Sequence, residues 1–129
     1  MDAKGNACEG WLIVEDEALV AILIEDAITE LGLRVIGPAG RVAAALALLD
    51  QHHPQGALLD LNLAGEAVYP VAAVLVERQI PFAFLTGYGQ SSVLSDYANR
   101  PVLQKPFMSG QIQAVIRQIV ETERAVMVS

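Results

Sequence analysis

Five short apolar runs, at residues 11–14, 33–36, 57–59, 81–85 and 101–103, punctuate this 129-residue chain and constrain its fold more than any other feature. Most are unbroken rather than alternating, the pattern of strands buried on both faces. Stretches of helical character lie between them. Over 18–31, Leu19, Ile22, Leu23, Ala27 and Leu31 recur at helical spacing, and Gly32 is the expected C-terminal cap. Residues 42–49 are rich in Ala and Leu and stop before His53-Pro54, because proline disfavours helix in the residue preceding it. A third helix is expected over 68–78, with Pro70 tolerated in its first turn. Residues 91–97 support only a short, weak helix. Ile112, Val115, Ile116, Ile119 and Val120 mark one face of a last helix over 109–123. Gly37-Pro38 is read as the end of the second strand, and 61–66 as a loop around Gly65. Strand–helix alternation implies a parallel sheet with helices on both faces. The expected fold is α/β, one doubly wound five-stranded sheet in the order 2-1-3-4-5, over residues 10–123 with tails at 1–9 and 124–129.

In such sheets ligands bind beyond the carboxyl ends of the strands. Polar residues stand at four of those ends: Glu15-Asp16 after the first strand, Asp60 after the third, Thr86 after the fourth and Lys105 after the fifth. The topology brings them along one edge. Three adjoining carboxylates raise one another's pKa, and a hard divalent cation that prefers oxygen ligands relieves the repulsion. Mg²⁺ fits, because it uses one or two carboxylates, keeps waters and leaves positions for phosphoryl oxygens. A carboxylate nucleophile beside a metal and a lysine suits phosphoryl transfer to Asp60. The metal and Lys105 would neutralise charge on the transferred group, and the Thr86 hydroxyl can donate to it. Each residue also has an ordinary use. Glu15-Asp16-Glu17 can be an acidic helix N-terminus, Thr86 a loop hydroxyl, and Lys105-Pro106 a solvated turn. Their joint arrival at successive strand ends favours the shared pocket.

Composition excludes several classes. With 53% apolar residues a full core is available, while a net charge of −7 and eight scattered Lys and Arg argue against nucleic-acid binding. The single cysteine, Cys8, excludes an intrachain disulfide, fits a reducing compartment and is read as a bystander. The longest apolar runs, such as 42–49, fall far short of the roughly 20 residues of a membrane span. Residues 1–10 carry Asp2, Lys4 and Glu9 and have no apolar signal stretch. A cytoplasmic protein without membrane contact is expected. His52 and His53 lie at a helix end, far from the strand-end pocket, and are read as surface. Residues 37–40 lack the spacings of a glycine-rich phosphate loop.

Taken in order, Glu15-Asp16, Asp60, Thr86 and Lys105-Pro106-Phe107 resemble the receiver domain of two-component response regulators, over residues 10–122. The resemblance implies that Asp60 accepts a phosphoryl group from a phosphohistidine on a histidine kinase or histidine phosphotransferase. It implies direct Mg²⁺ binding by Asp16, binding through water by Glu15, and a further ligand in the Asn62 backbone carbonyl. Thr86 and Lys105 should contact the phosphoryl group, and the Lys105–Pro106 bond should be cis. Output would be protein association or phosphorelay. The only catalysis implied is the chain's own phosphorylation and autodephosphorylation.

A narrower stretch, Pro81-Phe82-Ala83-Phe84-Leu85-Thr86-Gly87-Tyr88-Gly89, is similar to the signature of the "FAT GUY" receivers, stand-alone regulators common in alphaproteobacteria, with Leu85 where the signature has alanine. Most receivers carry Tyr or Phe three residues before the lysine, and this chain has Val102. A valine cannot perform a ring flip. Tyr88, two residues after Thr86, is the expected substitute carrier of the signal, with a plain loop aromatic as the alternative. Asn62 and Tyr88 would flank the phosphoryl site and tune attack by water, while Gly87 leaves it open. Two other functions are compatible with parts of the pattern. One is a phosphorylation-independent adaptor, favoured only by Val102. The other is a metal-dependent phosphohydrolase of the haloacid-dehalogenase kind, which needs an acid two residues after the nucleophile, where this chain has Asn62.

Overall fold

The computed structural model describes residues 10–87 and 93–128, with side chains described as far as 123 in the last helix. Tyr88, Gly89 and Cys8 lie outside the described residues. Among the described residues, seven strands and four α-helices follow in the order β1 (Trp11–Val14), α1 (Ala18–Glu30), β2 (Val35–Ala39), α2 (Val42–Gln51), β3 (Gly56–Asp60), β4 (Asn62–Leu63), β5 (Glu66–Ala67), α3 (Tyr69–Glu77), β6 (Phe82–Thr86), β7 (Val102–Gln104) and α4 (Ser109–Val128). A 3₁₀ turn spans Ser95–Tyr97. Five strands form one parallel sheet in the order β2-β1-β3-β6-β7, the doubly wound arrangement expected from the sequence.

Successive side chains along each strand enter opposite layers, as a period of two requires. Leu12, Val14, Ala57, Leu59, Phe82 and Phe84 share one core with Ala45 and Leu49 of α2 and Val71, Ala72 and Leu75 of α3. Trp11, Ile13, Leu58, Ala83, Leu85 and Leu103 share the other with Ile24, Ala27 and Ile28 of α1 and Ile112, Ile116 and Ile119 of α4. Both faces are thus covered, which explains the unbroken apolar runs. Trp11 pairs with Gly56 across β1 and β3, and a Cβ at Gly56 would collide with the indole ring. Side-chain ties join the helices within each layer. Arg78 Nη1 donates to the Leu49 carbonyl at 2.6 Å, binding α3 to the end of α2. Gln113 Nε2 donates to the Ala27 carbonyl at 3.1 Å and Glu30 Oε1 at 3.0 Å, binding α4 to α1.

Four local expectations are corrected. The strand expected over 33–36 is β2, which starts later and runs through Gly37 and Pro38 to Ala39. An edge strand tolerates a proline that cannot donate. Gly37, at φ +100°, brings its backbone close to the Ile13 carbonyl oxygen, and the Glu15 amide donates to the Ala39 carbonyl at 2.9 Å. The expected loop at 61–66 contains a small antiparallel hairpin, β4 with β5. On α1 the apolar residues Leu19 and Ile22 are 82% and 50% exposed, and the buried face is Ala21, Ile24, Ala27 and Ile28. The start of this helix is apolar all round, so spacing alone could not choose its inner face. Finally, α4 continues to Val128 rather than ending at Glu123. Among the described residues, no helix is long and apolar enough to cross a membrane.

Candidate functional site

Parallel register aligns the carboxyl ends of four neighbouring strands. Val14 pairs with Leu59, Asp60 with Leu85, and Thr86 with Gln104. Glu15, Asp60, Thr86 and Lys105, spread over the length of the chain, therefore meet at one rim. Glu15, Asp60 and Thr86 are buried, with exposures of 2%, 6% and 2%. The Thr86 carbonyl accepts the Lys105 amide at 2.7 Å, which fixes the lysine backbone to the end of β6. The Lys105–Pro106 peptide bond is cis.

The Lys105 ammonium sits among three carboxylates. Its Nζ lies 3.2 Å from Asp60 Oδ2, 3.0 Å from Glu15 Oε1 and 2.9 Å from Glu17 Oε1. Backbone amides serve the acids as well: Glu17 N donates to Glu15 Oε2 at 3.1 Å, and Asn62 N to Asp60 Oδ1 at 3.3 Å. Burial pushes the Glu15 pKa up to about 7, and the Asp60 charge pushes the same way. The Glu17 amide and Lys105 oppose both. Burial alone would lower Lys105, but its hydrogen bonds to Glu17 and Glu15 and the charges of Glu15 and Asp60 outweigh that and hold it above the ordinary lysine range.

Acid exceeds base here even with Lys105 in place. Glu15, Asp16 and Asp60 each offer a carboxylate oxygen, and these atoms all lie within 4.8 Å of one another, with Asp16 on the exposed side. Glu15 Oε1 is buried and, despite its contact with Lys105, accepts no well-aligned hydrogen bond among the described residues. An all-oxygen cluster in which three acids outnumber one ammonium fits a hard divalent cation such as Mg²⁺.

Beside the acids opens a cavity of about 360 Å³, lined by Asp60, Leu61, Asn62, Gly65, Ala67, Tyr69, Thr86 and Gly87. Asn62 is exposed, and its side-chain oxygen accepts the Gly65 amide at 2.9 Å, so its carboxamide is engaged in the hairpin turn. Val102 is half-buried, pairs with Phe84 and packs in the core on the α2–α3 side. Tyr88 lies outside the described residues. Two residues at the site had gone unmarked in the sequence. Glu17 pairs with Lys105 although nothing in the acidic run distinguishes it, and Tyr69 reaches the cavity from α3, where the pattern showed only a helix start.

The response regulator receiver domain family model matches residues 11–117, and the chain belongs to that family. It is similar to the transcriptional regulatory protein PdtaR of Mycobacterium tuberculosis, at 26% identity over 97% of this chain, and spans 63% of that protein's length. The solution structure of SdrG from Sphingomonas melonis superposes with a TM-score of 0.78 at 40% identity, covering 88% of this chain and 97% of that one. The response regulator PhyR from Brucella abortus gives a TM-score of 0.83 at 31% identity, covering 95% of this chain and 51% of that one.

Proposed function

We propose that this receiver is a phospho-acceptor, with Asp60 taking a phosphoryl group from a phosphohistidine on a histidine kinase or histidine phosphotransferase. The observation that carries the reading is Lys105 Nζ at 3.2 Å from Asp60 Oδ2, beside three acids whose oxygens cluster within 4.8 Å. Glu15, Asp16, Asp60 and the Asn62 carbonyl are the residues that would hold Mg²⁺. When bound, that ion supplies positive charge to the phosphoryl oxygens. An Asp60 carboxylate oxygen attacks phosphorus. The P–O bond forms as the P–N bond breaks, and the electron pair leaves with the imidazole. Lys105 faces the negative charge on the transferring group, and Thr86 donates its hydroxyl to one of its oxygens. Asn62 and Gly87 line the cavity through which water would later reach the acyl phosphate, and the sequence offers Tyr88, two residues after Thr86, as a further tuning residue. Output is contact with a protein partner or onward relay in the cytoplasm, through a two-state equilibrium biased by the phosphoryl group. The sequence from Pro81 to Gly89, with Leu85 as its one mismatch, supports membership of the FAT GUY group.

A phosphohydrolase would need a proton donor at Asn62. A carboxamide does not supply one, and the Asn62 side-chain oxygen accepts a turn amide. The test is incubation with acetyl phosphate and Mg²⁺ followed by intact mass. An adduct of about 80 Da, one phosphoryl group on a carboxylate nucleophile, is expected, and its loss in Asp60→Asn assigns the site. Absence of any adduct would favour the adaptor reading. Steady turnover of a small phosphoester would favour the hydrolase.

A further inference from the structure

Tyr69 is held from three directions. Its hydroxyl accepts the Leu94 amide at 3.0 Å, across 25 positions of chain. Its ring stacks on Tyr97, with centroids 5.4 Å apart and planes at 13°. The same ring meets Phe84 edge-on at 6.1 Å. Phe84 in turn contacts Phe82 and Tyr97, and the Arg100 guanidinium lies 4.5 Å from the Phe82 ring centre. Tyr69 is also a wall of the cavity shared with Asp60 and Thr86. Phe84 lies two residues before Thr86 on β6, on the same face of the sheet. One side chain therefore touches the acceptor cavity, the strand that carries Thr86, and the backbone and ring of segment 94–97.

From this geometry we propose that Tyr69 couples the chemical state of Asp60 to the segment 94–97, and that phosphorylation weakens the Leu94–Tyr69 hydrogen bond. The proposal rests on Asp60 being the phosphoryl acceptor. A phosphoryl group on Asp60 brings three oxygens and added negative charge into a cavity that Tyr69 bounds. Close-packed rings do not yield independently. A shift of the Tyr69 ring disturbs its stack on Tyr97 or its bond to Leu94, and a pull on Thr86 loads the same ring through Phe84. Leu94 is 51% exposed, so its release is felt at the surface. Coupling of this kind is reciprocal. If phosphorylation weakens the bond, deleting the bond favours the occupied site.

The test uses beryllofluoride with Mg²⁺, a BeF₃ group that binds a carboxylate in place of phosphoryl, with amide hydrogen exchange read residue by residue. In the unaltered chain, uptake at Asp60 should raise Leu94 exchange several-fold. In Tyr69→Phe, which keeps the ring, Leu94 should exchange fast with or without beryllofluoride, and uptake should tighten by about twofold to tenfold, the range for one neutral hydrogen bond. Leu94 has φ −60°, a value proline adopts, so Leu94→Pro deletes the same donor. It should give a similar gain, and the double variant should add nothing further. A merely structural Tyr69 would give additive losses instead. Uptake without a change at Leu94, or the same change in Tyr69→Phe, overturns the coupling alone. No uptake at Asp60 overturns the acceptor reading and the coupling with it.

Discussion

Lys105 is the counter-charge around which the acids of the rim are arranged. Its contact with Glu17 is the shortest, at 2.9 Å, yet Glu17 is 61% exposed, and such pairs contribute little. The contacts with buried Glu15 and Asp60 matter more, because low dielectric strengthens them. Lys105→Met should therefore slow formation of the Asp60 adduct by about 10²-fold, the scale for removing one electrostatic stabiliser from a transition state. A time course by intact mass measures this, and a rate within threefold of the unaltered chain would contradict it. Glu15 gives the pH prediction. Its folded pKa, about 7, stands above its ordinary value of 4.5, so folding favours the protonated form. That contribution is complete below pH 4.5 and is lost as pH rises through 7. Without Mg²⁺, stability should decline across this window, and Glu15→Gln should flatten the decline. Because a bound cation requires the carboxylate, Mg²⁺ affinity should rise over the same window. Urea midpoints at pH 5, 6 and 7, with and without Mg²⁺, read both effects through the fluorescence of Trp11, the one tryptophan.

At the scale of elements, the helices within each layer are joined by a few polar ties. Arg78 closes the end of α2 by donating to the Leu49 carbonyl, so α2 and α3 are fastened at one end. Arg78→Ala should cost about 1.5–3 kcal/mol, the range for a hydrogen bond to a charged group. The urea midpoint should fall with its slope unchanged. At the other end of α2, Glu66 of β5 accepts the Val42 amide at 3.2 Å, an N-terminal cap supplied from 24 positions away because Arg41 makes no side-chain cap. The short hairpin after Asp60 thus has a structural task that its sequence conceals. Two-residue strands carry no periodicity, and Gly65 reads the same in a loop as in a hairpin turn. The second strand outruns its sequence signal for a related reason. Gly37-Pro38 is a strong turn signal in isolation, and only the edge position of β2 allows it inside a strand.

Over the whole molecule, the five-stranded sheet with Trp11 against Gly56 is the least forgiving feature. Gly56→Ala should destabilise by about 1–3 kcal/mol, the usual result of overpacking, with a matching loss of thermal midpoint. No loss would mean that the indole can move aside. The apolar runs, their order and the helices between them were legible because strands covered on both faces must be apolar throughout. The meeting of Glu15, Asp60, Thr86 and Lys105 at one rim was legible because topology places strand ends together whatever the intervening chain does. Beyond the hairpin and the course of β2, three things were not. The inner face of α1 was chosen by packing against β1, β2 and α4 among too many apolar options. The ionisation of Glu15 depends on burial and on neighbours from β3 and after β7. Tyr69 joins the cavity to Leu94 through contacts that no local pattern announces. Residue order by itself determined which segments become strands and helices and which chemical groups stand at their ends, since period and chirality act locally. Register and packing decided which faces close, how near the charges come and which side chains share a wall, because those follow from distances between segments far apart in the chain.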